Sequence, residues 1–210
     1  MEGQAPTAGL YAREHGGSRI ELSTGTAITT QAVLYAAGAW TADVALALDG
    51  DPISITPRKG QMLRVRLPFF LDEVHRSEGV YIVPRTRGPQ AGTALIGATV
   101  EDAGFDTSVR GSDLEALRAL AAEILPGLAS EIEASMVESW AGLRPATPDG
   151  LPILGACSRA GRFIATGHYR NGILQAPGTA LVMADLIEGK SPSIDLSPLS
   201  MQRFAFAATK

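Results

Sequence analysis

Short alternating and apolar runs, rather than long amphipathic ones, fill the first part of this chain. Residues 19–22 alternate polar and apolar positions, and a Thr-Gly-Thr turn signal at 24–26 leads into another short alternating run. This pattern predicts a small β-meander. The apolar run 31–37 ends at Gly38 and is typical of a strand that is buried on both faces.

Helix signals follow that run and recur near the end of the chain. Thr41 is placed to cap a short helix over residues 42–48, which the Asp-Gly-Asp-Pro run 49–52 ends. Pro177 is placed to open another helix through Ile187, because proline is tolerated at the first helical position.

The middle of the chain combines strands with one longer helix. Residues 84–89 have the proline- and glycine-rich composition of a loop. Ser112 to Glu115 form a capping box at the head of a helix, whose apolar face includes Leu114 and Leu117 and which Pro126 stops. Strand-like runs cover residues 62–67, 80–83, 94–97, about 132–140 and 163–166.

Composition limits the classes of protein to consider. The 210 residues suffice for one large domain or two small ones, and an apolar fraction of 45% permits a sizeable core. A net charge of −4 without basic stretches argues against nucleic-acid binding. The single cysteine, Cys157, excludes an internal disulfide and fits a reducing compartment. Because neither a signal peptide nor a membrane-spanning run is visible, the sequence predicts a cytoplasmic protein.

Two arginines in glycine- and proline-rich segments are the strongest candidates for binding chemistry. Arg144 lies in Trp-Ala-Gly-Leu-Arg-Pro, and Arg170 lies in Gly-His-Tyr-Arg-Asn-Gly. Their neighbours predict sharp turns that let the backbone approach a ligand closely. A guanidinium stays protonated and offers a planar fork of donors that matches a carboxylate, so the two residues indicate a site for a small anion. A surface arginine that binds carbonyls of its own loop is the alternative for Arg144.

Other residues that carry chemistry also have plainer interpretations. Tyr81 shares a strand face with Val83, so it is either a core aromatic or a hydroxyl that helps to hold a substrate carboxylate. His168 is either a structural hydrogen-bonding group or a general base. Cys157 has no histidine near it in the sequence and is not a predicted nucleophile. No histidine has metal-ligand spacing, so no metal site is predicted.

Seven segments become informative as an ordered set: residues 34–40, 57–61, 81–85, 96–101, 140–145, 149–155 and 167–176. In this order they resemble the amino-acid oxidase family of flavoproteins, which includes glycine oxidase, D-amino acid oxidase and sarcosine oxidase. Within the family the chain is most similar to glycine oxidase of the thiazole branch of thiamine biosynthesis.

The resemblance implies a mixed α+β fold. A substrate domain with an antiparallel-rich sheet and helices would accompany the carboxy-terminal part of a Rossmann-like FAD-binding domain. The implied division is part of the FAD-binding domain over 1–50, the substrate-binding domain over 51–147, a return to the FAD-binding domain over 148–190, and a tail over 191–210.

The resemblance also implies roles for particular residues, with FAD as the cofactor. Arg144 would pair with the substrate carboxylate, Tyr81 would assist it, and Arg170 would be a second arginine near the substrate. The residues implied to border the FAD are Gly38, Trp40, Gly142, Gly167, Asn171, Gly172 and Ile173.

The implied reaction is oxidative deamination of glycine or small D-amino acids. The substrate Cα–H leaves as hydride to the flavin, the imine is hydrolysed, and dioxygen is reduced to hydrogen peroxide. The resemblance implies no side-chain acid or base, because positioning and the cofactor carry the chemistry. One alternative is a sarcosine oxidase or D-amino acid dehydrogenase. Another is a non-catalytic module that binds small carboxylates or a partner subunit.

One motif of the family does not occur in this chain. The Gly-x-Gly-x-x-Gly turn, which holds the FAD pyrophosphate at a helix amino terminus, is missing. We therefore expect a carboxy-terminal portion of an oxidase, either a fragment or a split-gene product. Its expected partner is the missing amino-terminal FAD-binding half or a separate subunit, and a homo-oligomer is an open alternative. An apolar exposed flank should mark the place of that partner.

Overall fold

The chain forms two compact units. The computed structural model describes residues 9–12, 17–50, 52–128 and 136–208. One unit comprises Met1–Thr56 and Arg144–Lys210, and the other comprises Pro57–Leu143. The boundaries between the two units therefore lie after Thr56 and Leu143. The boundaries predicted from the sequence lie after residues 50 and 147. The assignment of one unit to FAD and the other to substrate stays a prediction.

In the part of the chain that the structure describes, strands outnumber α-helices in both units. The strands are β1 (Gly9–Ala12), β2 (Ser18–Glu21), β3 (Ala27–Thr30), β4 (Val33–Tyr35), β5 (Thr56–Arg66), β6 (His75–Ser77), β7 (Val80–Arg85), β8 (Thr93–Gly97), β9 (Met136–Ala146), β10 (Ile153–Ala156) and β11 (Arg162–Thr166). The α-helices are α1 (Thr41–Asp49), α2 (Gly111–Ile124) and α3 (Gly172–Ile187). Short 3₁₀ helices cover Gly38–Trp40, Pro126–Leu128, Tyr169–Asn171, Ser197–Leu199 and Met201–Ala208.

The first unit contains two small sheets. β1, β2 and β3 form an antiparallel meander, which confirms the meander predicted from residues 19–26. In the other sheet, β11 lies between β10, to which it is antiparallel, and β4, to which it is parallel. The predicted strand over 31–37 forms only over Val33–Tyr35. Its predicted burial on both faces is wrong, because β4 is an edge strand of the described sheet and Leu34 is 40% exposed.

Two predicted helix starts in the first unit are wrong. Thr41 is not a cap but the first residue of α1, and its side chain points to β11 instead of the helix end. Gly50 ends α1 in the left-handed conformation, as the turn signal predicts. α3 begins at Gly172, so Pro177 lies inside the helix. Proline has no backbone N–H, so the helix lacks one internal hydrogen bond at Pro177. The loss is tolerated because it is a single bond near the start of a 16-residue helix.

The second unit is a five-stranded sheet with a helix on one face. Its strand order is β6-β7-β8-β5-β9, and β5, β6, β7 and β8 pair antiparallel. The apolar face of α2 packs on this sheet as predicted. The core consists of Leu63, Val65, Val80, Ile82, Ala94, Ile96, Leu114, Leu117, Ala121 and Leu128.

Three local predictions in the second unit need correction. The loop predicted from residue 84 begins only after Arg85, because Pro84 still pairs with Ala94 in the β7–β8 ladder. The predicted capping box is wrong, because α2 begins at Gly111 and no side chain caps it. The strand predicted over about 132–140 is observed from Met136, and residues 132–135 lie outside the described part of the chain.

The segment predicted as a tail folds onto the first unit. Arg203 donates from Nε to Asp149 Oδ2 at 2.7 Å and from Nη2 to Asp149 Oδ1 at 3.1 Å. Met201 and Phe204 pack against the core formed by Tyr35, Ala45, Ile153 and Ile164. The hydrogen bonds from the Arg203 guanidinium lower the pKa of Asp149 to about 2.

This ion pair predicts a pH dependence of stability. The folded-state pKa of Asp149 lies below the ordinary value of 3.8, so the pair stabilises the fold above pH 4, and the stabilisation is lost as the pH falls through about 2. We expect Asp149→Asn to lower the free energy of unfolding at pH 6, and the difference from the native chain to shrink between pH 4 and 2. Urea unfolding followed by circular dichroism measures it. An Asp149→Asn difference that stays constant down to pH 2 would contradict the ion pair.

Candidate functional site

The first unit brings two of the predicted cofactor-bordering glycines to one edge of its sheet. β4 and β11 run parallel, with Tyr35 opposite Ile164, so their carboxyl ends lie at the same edge. Gly38 follows β4 with a φ of 58°, and Gly167 follows β11 with a φ of 77°, angles that favour glycine. Ligands of open α/β sheets bind outside the carboxyl ends of the strands. This edge is therefore the candidate cofactor site of the first unit.

Two buried threonines tie these strand ends together. Thr166 Oγ1 donates to the Gly38 carbonyl oxygen at 3.0 Å, and Thr41 Oγ1 donates to Thr166 Oγ1 at 3.2 Å. Both threonine side chains are fully buried. Because a buried hydroxyl without a partner costs free energy, this chain of hydrogen bonds fixes the turn after β4 to the end of β11. The sequence analysis did not single out Thr166, and no sequence signal marks the contact.

The segment after β11 presents the start of α3 to the exterior. Tyr169 has a φ of 49°, which is uncommon for a residue other than glycine. Asn171 precedes α3, and its side chain makes no capping hydrogen bond. The first backbone N–H groups of a helix, here those of Gly172 and Ile173, have no partner within the helix itself. Ile173 is 95% exposed, so both the polar and the apolar groups of this helix start are accessible.

His168 and Arg170 flank Tyr169 and have different surroundings. His168 Nε2 lies 2.9 Å from Thr179 Oγ1 in α3, and burial lowers the pKa of His168. The contact with Thr179 ties the segment to α3, and the choice between a structural role and a general base stays a prediction. Arg170 is exposed, and its guanidinium lies 5.8 Å from the centre of the Tyr169 ring.

The turn predicted around Arg144 is wrong. Arg144 is a half-buried residue of β9. β9 lies at an edge of its sheet, where Pro145 is tolerated because an edge strand leaves some N–H groups without a sheet partner. Strand alternation places Arg144 on the same side of β9 as Gly142. A Cβ at Gly142 would meet no atom within 4 Å, so this side of β9 leaves open space next to the arginine's strand.

Tyr81 lies on the face of the second unit's sheet that is opposite α2. It pairs with Gly97 of β8, and a Cβ at Gly97 would lie 2.6 Å from the Tyr81 hydroxyl oxygen. Glycine at this position therefore lets the ring lie across β8, so that the hydroxyl is 3.8 Å from Met62 Sδ on β5. Val83 shares this half-exposed face, while Ile82 is buried in the core, as the alternation predicts.

The sequence analysis missed Arg64, which lies on the same open face. Its guanidinium is 5.6 Å from the centre of the Trp140 ring and pairs with the Glu138 carboxylate. The Arg64 side chain is charged, yet it is only 14% exposed, because β5 lies between β8 and β9 in the sheet. The available signal was the alternating run 62–67, which puts Arg64 and Met62 on one face.

A buried lysine fixes the chain that follows β8. Lys59 is 0% exposed, and its Nζ donates to Asp106 Oδ2 at 2.9 Å and lies 3.7 Å from Glu101 Oε2. The hydrogen bond from Lys59 holds the pKa of Asp106 well below its usual range. The backbones of Lys59 and Glu101 also pair. The segment that leaves Gly97, beneath the Tyr81 ring, is thereby tied to β5.

The structure distributes the predicted site residues over both units. Gly38 and Gly167 are brought together within the first unit. The first unit holds Gly38, Trp40, Arg144, Gly167, Arg170, Asn171, Gly172 and Ile173, and the second holds Tyr81 and Gly142. The roles assigned to these residues stay predictions.

Residues 5–186 match the family described as DAO, FAD dependent oxidoreductase. The chain belongs to this family of flavoproteins. It is 40% identical over 184 residues to the glycine oxidase of Geobacillus kaustophilus strain HTA426, a match that covers 86% of this chain and 47% of the relative. It is 41% identical over 191 residues to the bifunctional protein ThiO/ThiG of Trichormus variabilis, with 88% of this chain and 27% of that protein covered.

The fold is similar to that of a solved relative. The crystal structure of glycine oxidase from Geobacillus kaustophilus matches with a TM-score of 0.80 at 39% identity, over 90% of this chain and 50% of that chain. This chain therefore spans about half the length of the glycine oxidases it matches. The comparisons confirm the predicted family, its mixed antiparallel-rich fold and FAD as its cofactor.

The cellular location is not decided by the fold. Within the part of the chain that the structure describes, no helix is both long and apolar enough to cross a membrane. The cytoplasmic location stays a prediction.

The residues at the edge of the first unit's sheet fit a flat cofactor. A Cβ at Gly38 would meet no atom within 4 Å, so the backbone there is accessible to a ring system. The start of α3 adds N–H donors and the positive end of a helix dipole, which suit the carbonyl oxygens of a flavin. Trp40 is 43% exposed beside them.

Gly167 offers a test of this geometry. A Cβ at Gly167 would lie 2.6 Å from Thr147 Cγ2, and its φ of 77° is strained for other residues. We expect Gly167→Ala to lower the free energy of unfolding by about 1–3 kcal/mol. Gly178→Ala is the matched control, because Gly178 lies within α3 with nothing within 4 Å of its Cβ position. That change should stabilise by about 0.5–1 kcal/mol.

Urea unfolding of both variants, followed by circular dichroism, measures the two effects. Equal stability of Gly167→Ala and the native chain would show that the backbone after β11 does not hold this conformation.

Proposed function

We propose that this chain supplies the substrate-binding unit and part of the FAD-binding unit of an amino-acid oxidase. The complete protein would convert glycine or a small D-amino acid, with dioxygen, to the imine and hydrogen peroxide, and water would hydrolyse the imine. The observation that carries the proposal is the placement of Arg144 in β9. There an arginine is held by regular strand structure beside the open space at Gly142.

Arg144 is proposed to bind the substrate carboxylate. Its planar fork can donate two parallel hydrogen bonds to one carboxylate, and hydrogen bonds to charged groups contribute about 1.5–3 kcal/mol each. A strand backbone limits the arginine's freedom before the substrate arrives, which reduces the entropy lost on binding. The carboxylate would thereby fix one end of the substrate.

Tyr81 is proposed to donate a hydrogen bond from its hydroxyl to a substrate carboxylate. The ring lies across Gly97, and within the described part of the chain the acceptor of the hydroxyl is the weak Met62 Sδ at 3.8 Å. A stronger acceptor such as a carboxylate oxygen would replace that contact. Arg170, which is exposed on the short helix before α3, is proposed as a second cation near the substrate.

Gly38, Gly167 and the start of α3 are proposed to hold the FAD, together with Trp40 and Gly142. FAD, when bound, supplies the acceptor for the two electrons that leave the substrate. The protein groups contribute orientation, because binding a substrate at its carboxylate places the neighbouring carbon in one position. His168 is hydrogen-bonded to Thr179, and we assign it no proton-transfer role.

A further segment with a phosphate-binding turn is proposed to complete the cofactor site. This chain contains no Gly-x-Gly-x-x-Gly, and it spans 47% of the Geobacillus relative. The predicted apolar flank is visible on α3, where Leu174 and Leu181 are 81% and 71% exposed. We propose that the segment packs on this flank. The thiazole branch of thiamine biosynthesis is the proposed pathway, in keeping with the ThiO/ThiG relative.

Substitution of Arg144 tests the substrate site. The assay uses this chain joined to the half of the Geobacillus glycine oxidase that it does not match. We expect Arg144→Ala to raise the KM for glycine by about a hundredfold or more, because two charge-assisted hydrogen bonds are lost. Arg144→Lys keeps the charge without the fork and should have an intermediate KM.

Arg66→Ala is the control, because Arg66 lies at the exposed end of β5. Peroxide production at varied glycine concentrations gives the KM values. A KM for Arg144→Ala within about twofold of the parent would remove the carboxylate role. A higher rate with N-methylglycine than with glycine would favour the sarcosine oxidase alternative.

A further inference from the structure

The guanidinium of Arg203 uses every hydrogen it can donate. Nε and Nη2 donate to the two oxygens of Asp149, and Nη2 also donates to the Leu151 carbonyl oxygen at 2.8 Å. Nη1 donates to the carbonyl oxygens of Leu199 and Ser200 at 2.9 and 3.1 Å. An arginine has five N–H donors, and here all five have an acceptor. The side chain is 14% exposed.

Three of these hydrogen bonds end on a tight turn over residues 147–151. Within this turn, Thr147 Oγ1 donates to the Leu151 carbonyl oxygen at 2.8 Å, and the Leu151 N–H donates to Asp149 Oδ1 at 3.1 Å. The Leu151 carbonyl oxygen and Asp149 Oδ1 are therefore each shared between the turn and Arg203. Removal of Arg203 would leave both acceptors with only the turn's own donors.

The same turn supports the backbone of Gly167. The Cβ position of Gly167 lies 2.6 Å from Thr147 Cγ2 and 3.4 Å from both the Pro152 Cα and the Ile153 nitrogen. The chain at Gly167 therefore rests directly on the turn. Arg144 lies just before the turn in the sequence, at the end of β9. A displacement of the turn would be passed to both residues, because packed backbone has little room to absorb it.

We propose that Arg203 is a positioning residue, which clamps the 147–151 turn and thereby holds Gly167 and Arg144 in place for cofactor and substrate. The clamp itself is a property of the fold, whereas its consequence for catalysis rests on the proposed function. The planar guanidinium of Arg203 is essential to the clamp. A lysine has three donors on a flexible stem and cannot bond the carboxylate twice while also reaching three carbonyl oxygens.

A simple tail anchor would behave differently. Met201 and Phe204 already pack against the core of the first unit, so the tail has apolar contacts besides Arg203. If Arg203 only fastened the tail, its loss would loosen residues near 197–204 and leave the turn unchanged. If Arg203 clamps the turn, its loss would loosen residues 147–153 and Gly167 as well.

Amide hydrogen exchange of the 210-residue chain, read by mass spectrometry, separates the two. We expect Arg203→Gln and Arg203→Lys to accelerate exchange of the Gly150, Leu151, Ile153 and Gly167 amides by about tenfold or more, which corresponds to about 1.4 kcal/mol of local opening. Arg19→Gln is the matched control, because it removes an exposed ion pair with Glu21 in the same unit. Exchange at the turn should be unchanged in that control.

Asp149→Asn is the second variant, for use if loss of Arg203 unfolds the first unit. It keeps the three carbonyl contacts of Arg203 and removes only the charged pair, so a smaller acceleration at the Gly150, Leu151, Ile153 and Gly167 amides is expected. Acceleration confined to residues 197–204 in these variants, or none at the turn, would overturn the proposal.

A catalytic readout connects the clamp to the site. In the oxidase completed with the Geobacillus half, Arg203→Lys should raise both the FAD dissociation constant and the KM for glycine, measured well below the unfolding temperature. A role in stability alone would change neither. Faster exchange at the turn with an unchanged KM in Arg144→Ala would leave the clamp standing and defeat the proposed function. Unchanged exchange at the turn in the Arg203 variants, together with a raised KM in Arg144→Ala, would overturn the clamp and leave the proposed function standing.

Discussion

The parallel pairing of β4 with β11 is the constraint on which the first unit depends. It joins residues 33–35 to residues 162–164, across the whole second unit in the sequence. Because parallel strands end at the same edge, the pairing brings Gly38 and Gly167 together without any direct signal in the sequence. The hydrogen bond from Thr166 to the Gly38 carbonyl oxygen then fixes the two turns relative to each other. The candidate cofactor edge is thus a direct consequence of this one strand pairing.

The two faces of the sheet in the second unit differ in burial. One face packs beneath α2 and provides the core, so its residues are apolar and buried. The opposite face carries Tyr81, Met62 and Arg64, which are only partly exposed. Gly97 matters to this face because a side chain there would collide with the Tyr81 ring. The core and the proposed binding residue Tyr81 therefore lie on opposite faces of the same strands.

The sequence predicted most strands and fewer of their ends. Period-two alternation found β5 and β7 and placed Tyr81 and Val83 on one face correctly. Helix starts were predicted less well, and at α1 the reason is that the polar residue that signals a cap has another partner in the fold. Thr41 bonds Thr166 instead of its own helix. The glycine and proline around Arg144 suggested a turn, but at an edge strand both residues are tolerated.

The residues of the candidate site were predicted from the ordered motifs, whereas the residues that contact and support them were not. Arg144, Tyr81 and the glycines were predicted by resemblance. Arg203 and Asp149, which we propose to support them, lie far apart in the chain, and no local sequence pattern links the two residues. Lys59 is similar: a lone lysine in the sequence is expected to be solvated, and only the fold shows it buried against Asp106.

Retention of FAD tests the central claim most directly. The measurement is the visible absorption spectrum of this chain, joined to the unmatched half of the Geobacillus glycine oxidase, after added FAD is removed by gel filtration. We expect a stable oxidised-flavin band that glycine bleaches in the absence of oxygen. A folded, colourless protein under these conditions would contradict the proposal that this chain completes a flavin site.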